Sequence, residues 1–224
     1  MFSPETLEFI AENCWRSSRD WFYEHRSEYL KFVRNPMIEL SDFLAPTVEE
    51  IDPQLITDPK VTISRINRDL RFAHGGSIYR DMLWVSYRRD REGFPAWPEL
   101  YFIISPRECL YGCGYYQTKA PVMAEIRKMV IEDHPKYLSA KAALEADGRI
   151  ILEGDMYKRS KYKDYPEEKR QWLDRKNLSF SIYPAGDELF DEGLGEKIKE
   201  AFKKMAPVYE FLVLAEELAR KNED

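Results

Sequence analysis

The spacing of apolar residues predicts three helices in the first fifty residues. Residues 3–5 combine an N-cap serine, a proline at the first helical position and an acid in the first turn, so a helix is expected to about residue 13. A second helix follows the serines at 17–18 and is expected to end at the Asn-Pro pair 35–36. A third is predicted from Pro36 to the Asp-Pro pair 52–53.

From residue 60 the apolar period changes to two, which is typical of strands. Residues 61–66 and 82–87 are predicted as two strands, and 99–105 and 109–116 as the arms of a hairpin around a Pro-Arg-Glu turn. Gly112 and Gly114 leave one side of the second arm without side chains. Close packing of another backbone and the approach of a ligand both fit that pattern.

The second half of the chain mixes both patterns. Strands are predicted over 149–154 and 178–183. Helices are expected from 120 to 134, onward through 144, from 166 to 173 and from 193 to 221. These elements predict one α+β domain over residues 1–224, with a mainly antiparallel sheet packed by N-terminal, central and C-terminal helices.

Composition supports an ordinary globular protein. The 224 residues are 44% hydrophobic, enough for a core without disulfides or metal. No apolar run approaches the roughly 18 residues of a membrane span, and no basic segment with an apolar stretch follows Met1. Three cysteines cannot all pair within one chain. We therefore expect a cytoplasmic protein in a reducing compartment, away from membranes.

Charge is distributed unevenly. The net charge is -6, but residues 60–91 sum to +5 and residues 158–176 to +4, which leaves -15 for the rest. An acidic body repels a long polyanion, whereas a local basic pocket can hold a small one. The chain is therefore expected to bind a small anion and not nucleic acid; surface arginines that pair with acidic neighbours would give the same pattern.

Familiar catalytic and metal motifs are absent from the sequence. There is no Walker loop, no G-x-G-x-x-G, no H-E-x-x-H and no G-x-S-x-G. Cys109 and Cys113 have no second Cys or His pair nearby to complete a zinc site. Neither a metal nor a cofactor is predicted. Of the three histidines, His74 has the most polar sequence surroundings, although a position in a surface loop is the favoured explanation for it.

The densest polar segment is the arginine-rich stretch 63–81. Guanidinium groups suit bidentate binding of phosphate or carboxylate, and a glycine-rich turn beside them adds backbone donors. A buried Arg-Asp network that ties the loop to the sheet is the alternative. The predicted anion-binding residues are Arg65, Arg68, Arg71, Tyr79, Arg80, Lys158 and Arg159. The candidates for orienting them or for acid-base chemistry are Asp69, His74 and Asp81.

The segment R-x-x-R-D-x-R-F at residues 65–72 resembles the signature of a bacterial and fungal family catalogued as domain of unknown function twenty-four sixty-one. The resemblance covers roughly residues 2–212. It includes Trp-Phe at 21–22, G-x-G-Y-Y at 112–116, Ile-Arg at 126–127, Lys-Arg at 158–159 and W-L-D-R-K at 172–176. The chain departs from the family's usual Lys-Pro before the tyrosine, where residues 75–78 read Gly-Gly-Ser-Ile. The resemblance implies an α+β fold and no settled activity.

Two functions remain open from the sequence. The first is a small-anion site in an Arg- and Tyr-lined cleft, with or without an enzymatic reaction, in which the basic segment 158–163 forms a second wall. The second is an interaction module without enzymatic activity, which would expose Tyr157, Tyr162 and Tyr165 beside the lysines and use its Arg-Asp cluster structurally. Ligand identity, oligomeric state and biological process are not predicted.

Overall fold

The structure is a computed structural model that describes residues 1–69, 71, 76–89 and 97–222. It has an α+β fold with a five-stranded antiparallel sheet in the order β1-β2-β3-β5-β4, so the predicted fold class is confirmed. The strands are β1 (Leu83–Tyr87), β2 (Glu99–Ile104), β3 (Cys109–Gly114), β4 (Ile151–Glu153) and β5 (Ser179–Ile182).

Helices flank these strands in sequence. The N-terminal group is α1 (Pro4–Arg16), α2 (Arg19–Glu24), α3 (Arg26–Glu28), a π-helical turn (Tyr29–Arg34), α4 (Asn35–Ile51) and the short α5 (Pro59–Thr62). The later helices are α6 (Ala120–Ile131), α7 (Pro135–Ala146), α8 (Glu167–Leu173) and α9 (Leu194–Lys221), with a 3-10 turn at Gly186–Phe190. Helical structure therefore occupies both ends and the centre of the chain, as the apolar spacing predicts.

The predicted helix end at Asn35-Pro36 is wrong. Helical backbone continues from α3 through the π-helical turn into α4, with Pro36 in its first turn. Proline has no N–H for the carbonyl four residues earlier, which is that of Phe32. The buried Thr6 hydroxyl donates a 2.7 Å hydrogen bond to this carbonyl. A partner from α1 therefore allows the chain to pass the proline without ending the helix.

The predicted strand at 61–66 is also wrong. Asp58 accepts a 2.9 Å hydrogen bond from the Lys60 N–H, and Pro59 occupies the first helical position. Residues 61 and 62, the start of the predicted strand, therefore belong to the short helix α5. The chain then runs antiparallel to β1 and the segment before it, through isolated bridges at Ile63–Val85 and Asn67–Tyr79. This irregular pairing carries the arginine-rich segment.

Of the two explanations for the missing side chains at Gly112 and Gly114, the structure shows close backbone packing. A Cβ on Gly112 would lie 1.8 Å from the Phe180 carbonyl oxygen, and one on Gly114 would lie 2.6 Å from the Ser179 Cα. Both neighbours belong to β5, next to β3 in the sheet. The missing side chains thus allow two strands to approach each other.

The chain divides into two compact units. The first comprises Met1–Tyr87, Tyr101–Tyr111 and Tyr183–Lys199. The second comprises Arg88–Leu100, Gly112–Ile182 and Glu200–Asp224. One domain over residues 1–224 stays a prediction. None of the described helices is long and apolar enough to cross a membrane.

Each unit has its own aromatic core. In the first unit the rings of Phe2 and Phe102 stack with centroids 5.3 Å apart. In the second, Trp172 is surrounded by Tyr137, Phe180 and Phe211 at 5.2 to 5.8 Å. Such contacts contribute about 0.5–1.5 kcal/mol per pair beyond the burial of apolar area.

Candidate anion-binding site

Backbone pairing brings two of the predicted arginines together in the first unit. The Arg68 N–H donates to the Ile78 carbonyl and the Arg80 N–H donates to the Ile66 carbonyl, both at 2.9 Å. Residues directly opposite in an antiparallel pair share one face, and their neighbours in sequence take the other. With Asn67 opposite Tyr79, Arg68 and Arg80 fall on the same face as diagonal neighbours.

These two arginines line one cleft of about 340 Å³. The lining residues are Cys14, Arg68, Tyr79, Arg80, Asp81 and Met82. Four of the predicted site residues therefore converge: Arg68, Tyr79, Arg80 and Asp81.

Helix α1 supplies the remaining wall. The Cys14 thiol donates to the Tyr79 carbonyl at 3.8 Å, and the Ser17 hydroxyl accepts a 3.0 Å hydrogen bond from the Ile78 N–H. Ser17 itself ends α1 in the left-handed conformation, with φ of 49°. The helix end thereby holds the strand-like segment that carries Tyr79 and Arg80.

Arg80 is half-buried and incompletely paired. Its guanidinium carbon lies 4.7 Å from the centre of the Trp84 ring, a cation–π contact that fixes the plane of the group. Its Nε is buried and has no hydrogen-bond partner among the described residues. A buried N–H without a partner costs about 1–3 kcal/mol.

Arg68 is exposed and lies beside Gly76. A Cβ on Gly76 would come within 3.0 Å of the Arg68 Nη1, and Gly76 has a φ of +88°. A side chain there would be strained by its backbone and crowded by the guanidinium. Gly76 therefore leaves space for the Arg68 side chain.

Tyr79 is buried and packs against α2. Its ring centroid is 5.1 Å from that of Phe22. Burial is the main cause that raises the pKa of its hydroxyl; the neighbouring Tyr23 raises it further and Arg19 lowers it. The phenol thus stays protonated at neutral pH and acts as a hydrogen-bond donor or acceptor, not as an anion.

Asp69 and Arg71 pair with each other outside the cleft lining. Arg71 donates to the two carboxylate oxygens at 3.0 and 2.7 Å, and its own side chain is 81% exposed. The hydrogen bonds from Arg71 lower the pKa of Asp69 to about 2. Asp69 is therefore ionised at neutral pH and orients Arg71, but it is unsuited to carrying a proton there.

Asp81 and Arg65 of the first basic segment differ in position. Asp81 lies in the cleft and forms a 3.5 Å ion pair with Arg107 from the β2–β3 turn. Arg65 is exposed and is not among the lining residues. His74 lies outside the described residues.

Lys158 and Arg159 are exposed and belong to the second unit. Their neighbours are anchored there. The Lys161 N–H donates a 2.9 Å hydrogen bond to the buried Asp174 carboxylate, and the Lys161 ammonium lies 4.0 Å from the centre of the Tyr157 ring. The role of this segment as a second wall of the anion site stays a prediction.

No pattern in the sequence connected some of the residues around the cleft with the predicted site. Cys14 is 65 positions from the carbonyl it contacts, and Arg107 reaches Asp81 from a turn that the sequence marks only as a turn. Among the described residues, no three of His, Cys, Asp or Glu are grouped so that they could hold a metal.

Comparison with known proteins identifies the family of this chain. No curated protein and no solved structure matches the chain. The profile of a family described as conserved hypothetical protein matches residues 5–211. This span includes all of α1 except Pro4, the arginine-rich stretch 63–81 and all five strands. The chain therefore belongs to the conserved hypothetical protein family DUF2461.

Proposed function

We propose that this protein binds a small phosphate- or carboxylate-bearing ligand in the cleft lined by Arg68 and Arg80. The observation that carries the proposal is the pair of arginine side chains that line one cleft. The Nε of one of them, Arg80, is buried and has no hydrogen-bond partner among the described residues. Two cations on one face repel each other, and an anion between them would remove that repulsion. Arginine forks also match the geometry of phosphate and carboxylate oxygens.

Asp81 gives the cleft a candidate proton carrier. It is 54% exposed and pairs with Arg107 at 3.5 Å, so its negative charge is partly compensated before a ligand arrives. A carboxylate at the edge of an anion site is suited to act as a general base on the bound molecule. On this basis the protein binds small anions. Asp81 would be the general base in a reaction of the bound anion.

The direct test is thermal unfolding of the full chain with inorganic phosphate, a phosphomonoester such as glycerol phosphate, or malonate, against chloride at matched ionic strength. We expect at least one of the three anions to raise the midpoint. Arg68→Gln and Arg80→Gln should each weaken binding by about 1.5–3 kcal/mol, the range for a charge-assisted hydrogen bond. Arg26→Gln changes an exposed arginine outside the cleft and is the matched control.

A second comparison addresses the remaining predicted residues. Lys158→Gln with Arg159→Gln should lower the affinity for the same anion if those cations form the second wall. Arg65→Gln and Arg71→Gln should have smaller effects, because neither residue lines the cleft. Asp81→Asn should leave the affinity for the anion unchanged or raise it, because it removes a negative charge that repels the ligand.

Two results would overturn the proposal. One is that no anion stabilises the wild type beyond the chloride control. The other is that the Arg26 variant loses as much stabilisation as the cleft variants do. An interaction module with a structural Arg-Asp cluster would then be the better explanation. Tight binding of random-sequence nucleic acid at physiological salt, lost in Lys161→Gln with Lys163→Gln, would instead identify a polyanion surface.

A further inference from the structure

A second cavity in the first unit has the opposite chemical character. It encloses about 280 Å³ between the N-terminal residues, α4 and the start of α9. The lining residues are Met1, Phe2, Pro36, Glu39, Leu40, Phe43, Glu192, Leu194, Gly195 and Glu196.

The floor of this cavity is apolar. Phe2, Leu40 and Leu194 are buried beneath it, and Phe43 presents a ring that is 43% exposed. Gly195 keeps the space beside that ring open, because a Cβ there would lie 3.0 Å from the Phe43 Cδ1. An apolar cavity of 150 Å³ holds benzene, so this cavity accommodates an apolar group of up to about twice that size.

Every charged side chain in the lining is a glutamate: Glu39, Glu192 and Glu196. Two of the three already contact an ammonium group. The N-terminal ammonium of Met1 lies 3.2 Å from Glu39, and the Lys199 ammonium lies 2.9 Å from Glu196. The Lys199 ammonium is also 5.6 Å from the centre of the Phe43 ring, within the range of a cation–π contact.

Glu192 differs from the other two. It is exposed, and no ion pair to it is found in the part of the chain that the structure describes. A carboxylate at the mouth of an apolar cavity favours a ligand whose cation reaches the rim while its apolar body fills the floor. An anionic ligand would instead be repelled, because the cavity lining has three carboxylates and the charge of Glu192 is not compensated by an ion pair among the described residues.

We propose that this cavity binds a small primary amine with an apolar body, its ammonium at Glu192 and its hydrocarbon part against Phe43 and Leu40. The ligand class follows from charge complementarity and size. This site does not depend on the proposed anion site, because the two clefts share no lining residue and prefer opposite charges.

The test uses hexylammonium, with hexanoate and hexan-1-ol as probes of the same chain length. Calorimetric titration of the full chain should show saturable binding of hexylammonium at one site per chain. Hexan-1-ol should bind at least about tenfold more weakly, since it lacks the charge-assisted contact. Hexanoate should show no saturation in the same range.

Variants locate the site. Glu192→Gln should weaken hexylammonium binding by about tenfold and leave the phosphate response of the other cleft unchanged. Glu50→Gln, which neutralises an exposed glutamate of α4 outside the cavity, is the matched control and should bind as the wild type does. Phe43→Ala should weaken both hexylammonium and hexan-1-ol, because it removes apolar contact for the chain they share.

Several outcomes would overturn this inference. Equal binding of hexylammonium and hexan-1-ol would show that no carboxylate recognises the ammonium. Equal affinity in the Glu192 and Glu50 variants would place the binding elsewhere. Concentration-dependent dimerisation that Phe43→Ala abolishes, with no amine binding by the monomer, would identify the cavity as a contact between copies. Failure here leaves the anion proposal standing, because phosphate stabilisation is measured separately.

Discussion

The Thr6 hydroxyl donates a 2.7 Å hydrogen bond to the carbonyl of Phe32, the carbonyl to which Pro36 has no N–H to donate. The same hydroxyl accepts a 3.1 Å hydrogen bond from the Ser3 N–H. One buried side chain thus serves both the start of α1 and the helical junction before α4.

Replacing Thr6 by valine should destabilise the protein by about 1–3 kcal/mol, because it leaves buried backbone groups without this partner at nearly the same side-chain volume. Thr6→Ser keeps the hydroxyl and should recover most of that loss. Urea denaturation followed by circular dichroism measures both variants. A valine variant as stable as the serine variant would show that the hydrogen bonds contribute nothing net.

Gly112→Ala should prevent the normal approach of β3 and β5. The added Cβ would lie 1.8 Å from the Phe180 carbonyl oxygen, a backbone atom that cannot rotate away. We expect a loss of more than about 2 kcal/mol, or failure to accumulate as folded protein. Gly148→Ala is the control, since no atom of the described residues lies within 4 Å of its added Cβ. Equal melting midpoints for the two variants would contradict this account.

Asp147 should make stability dependent on acid pH. Its buried carboxylate accepts hydrogen bonds from Lys204 at 2.9 Å and from the Arg149 side chain at 3.4 Å. The Lys204 hydrogen bond is the main cause that lowers the pKa of Asp147 to about 2. Because the pKa is depressed in the folded state, the stabilisation is complete above about pH 4 and is lost as the pH falls toward 2.

Asp147→Asn should therefore cost about 1–2 kcal/mol at pH 7 and progressively less between pH 4 and pH 2. Denaturant titrations across that range measure the difference from the wild type. Asp164→Asn removes an exposed carboxylate of the same unit and should show no comparable convergence. A cost for Asp147→Asn that stays constant to pH 2 would contradict the role of its charge.

Arg127 should determine the local stability of the second basic segment. It donates to the carbonyls of Leu173 at 3.0 Å and Arg175 at 2.7 Å, and its guanidinium carbon lies 5.6 Å from the centre of the Tyr157 ring. A lysine keeps the charge but cannot reproduce the fork that reaches both carbonyls. Arg127→Lys should speed amide exchange in residues 157–165 and 173–176, as measured by mass spectrometry. Lys128→Arg, on the exposed side of α6, should leave these rates unchanged.

Local pattern alone predicts the fold class and most elements. The β-forming residues in 82–87 and 99–105 and the helical period in 120–134 depend on neighbours in sequence, so β1, β2 and α6 appear close to where they are expected. The same local rules fail at Pro36, where the hydrogen-bond donor comes from Thr6 thirty residues earlier. They also fail at 61–66, where Asp58 and Pro59 begin a helix that the alternation does not reveal.

The sequence by itself determined that this chain has an acidic body with two basic segments and an α+β order of elements, because charge and period are properties of the chain alone. Only the tertiary structure decided which arginines share a cleft. The pairing of Asn67 with Tyr79 joins Arg68 to Arg80, while Arg71 turns to Asp69 two residues away. The Cys14 wall and the apolar cavity beside Phe43 likewise depend on contacts between distant segments. Which groups meet follows from the register and packing of those segments, and spacing along the chain does not encode that register.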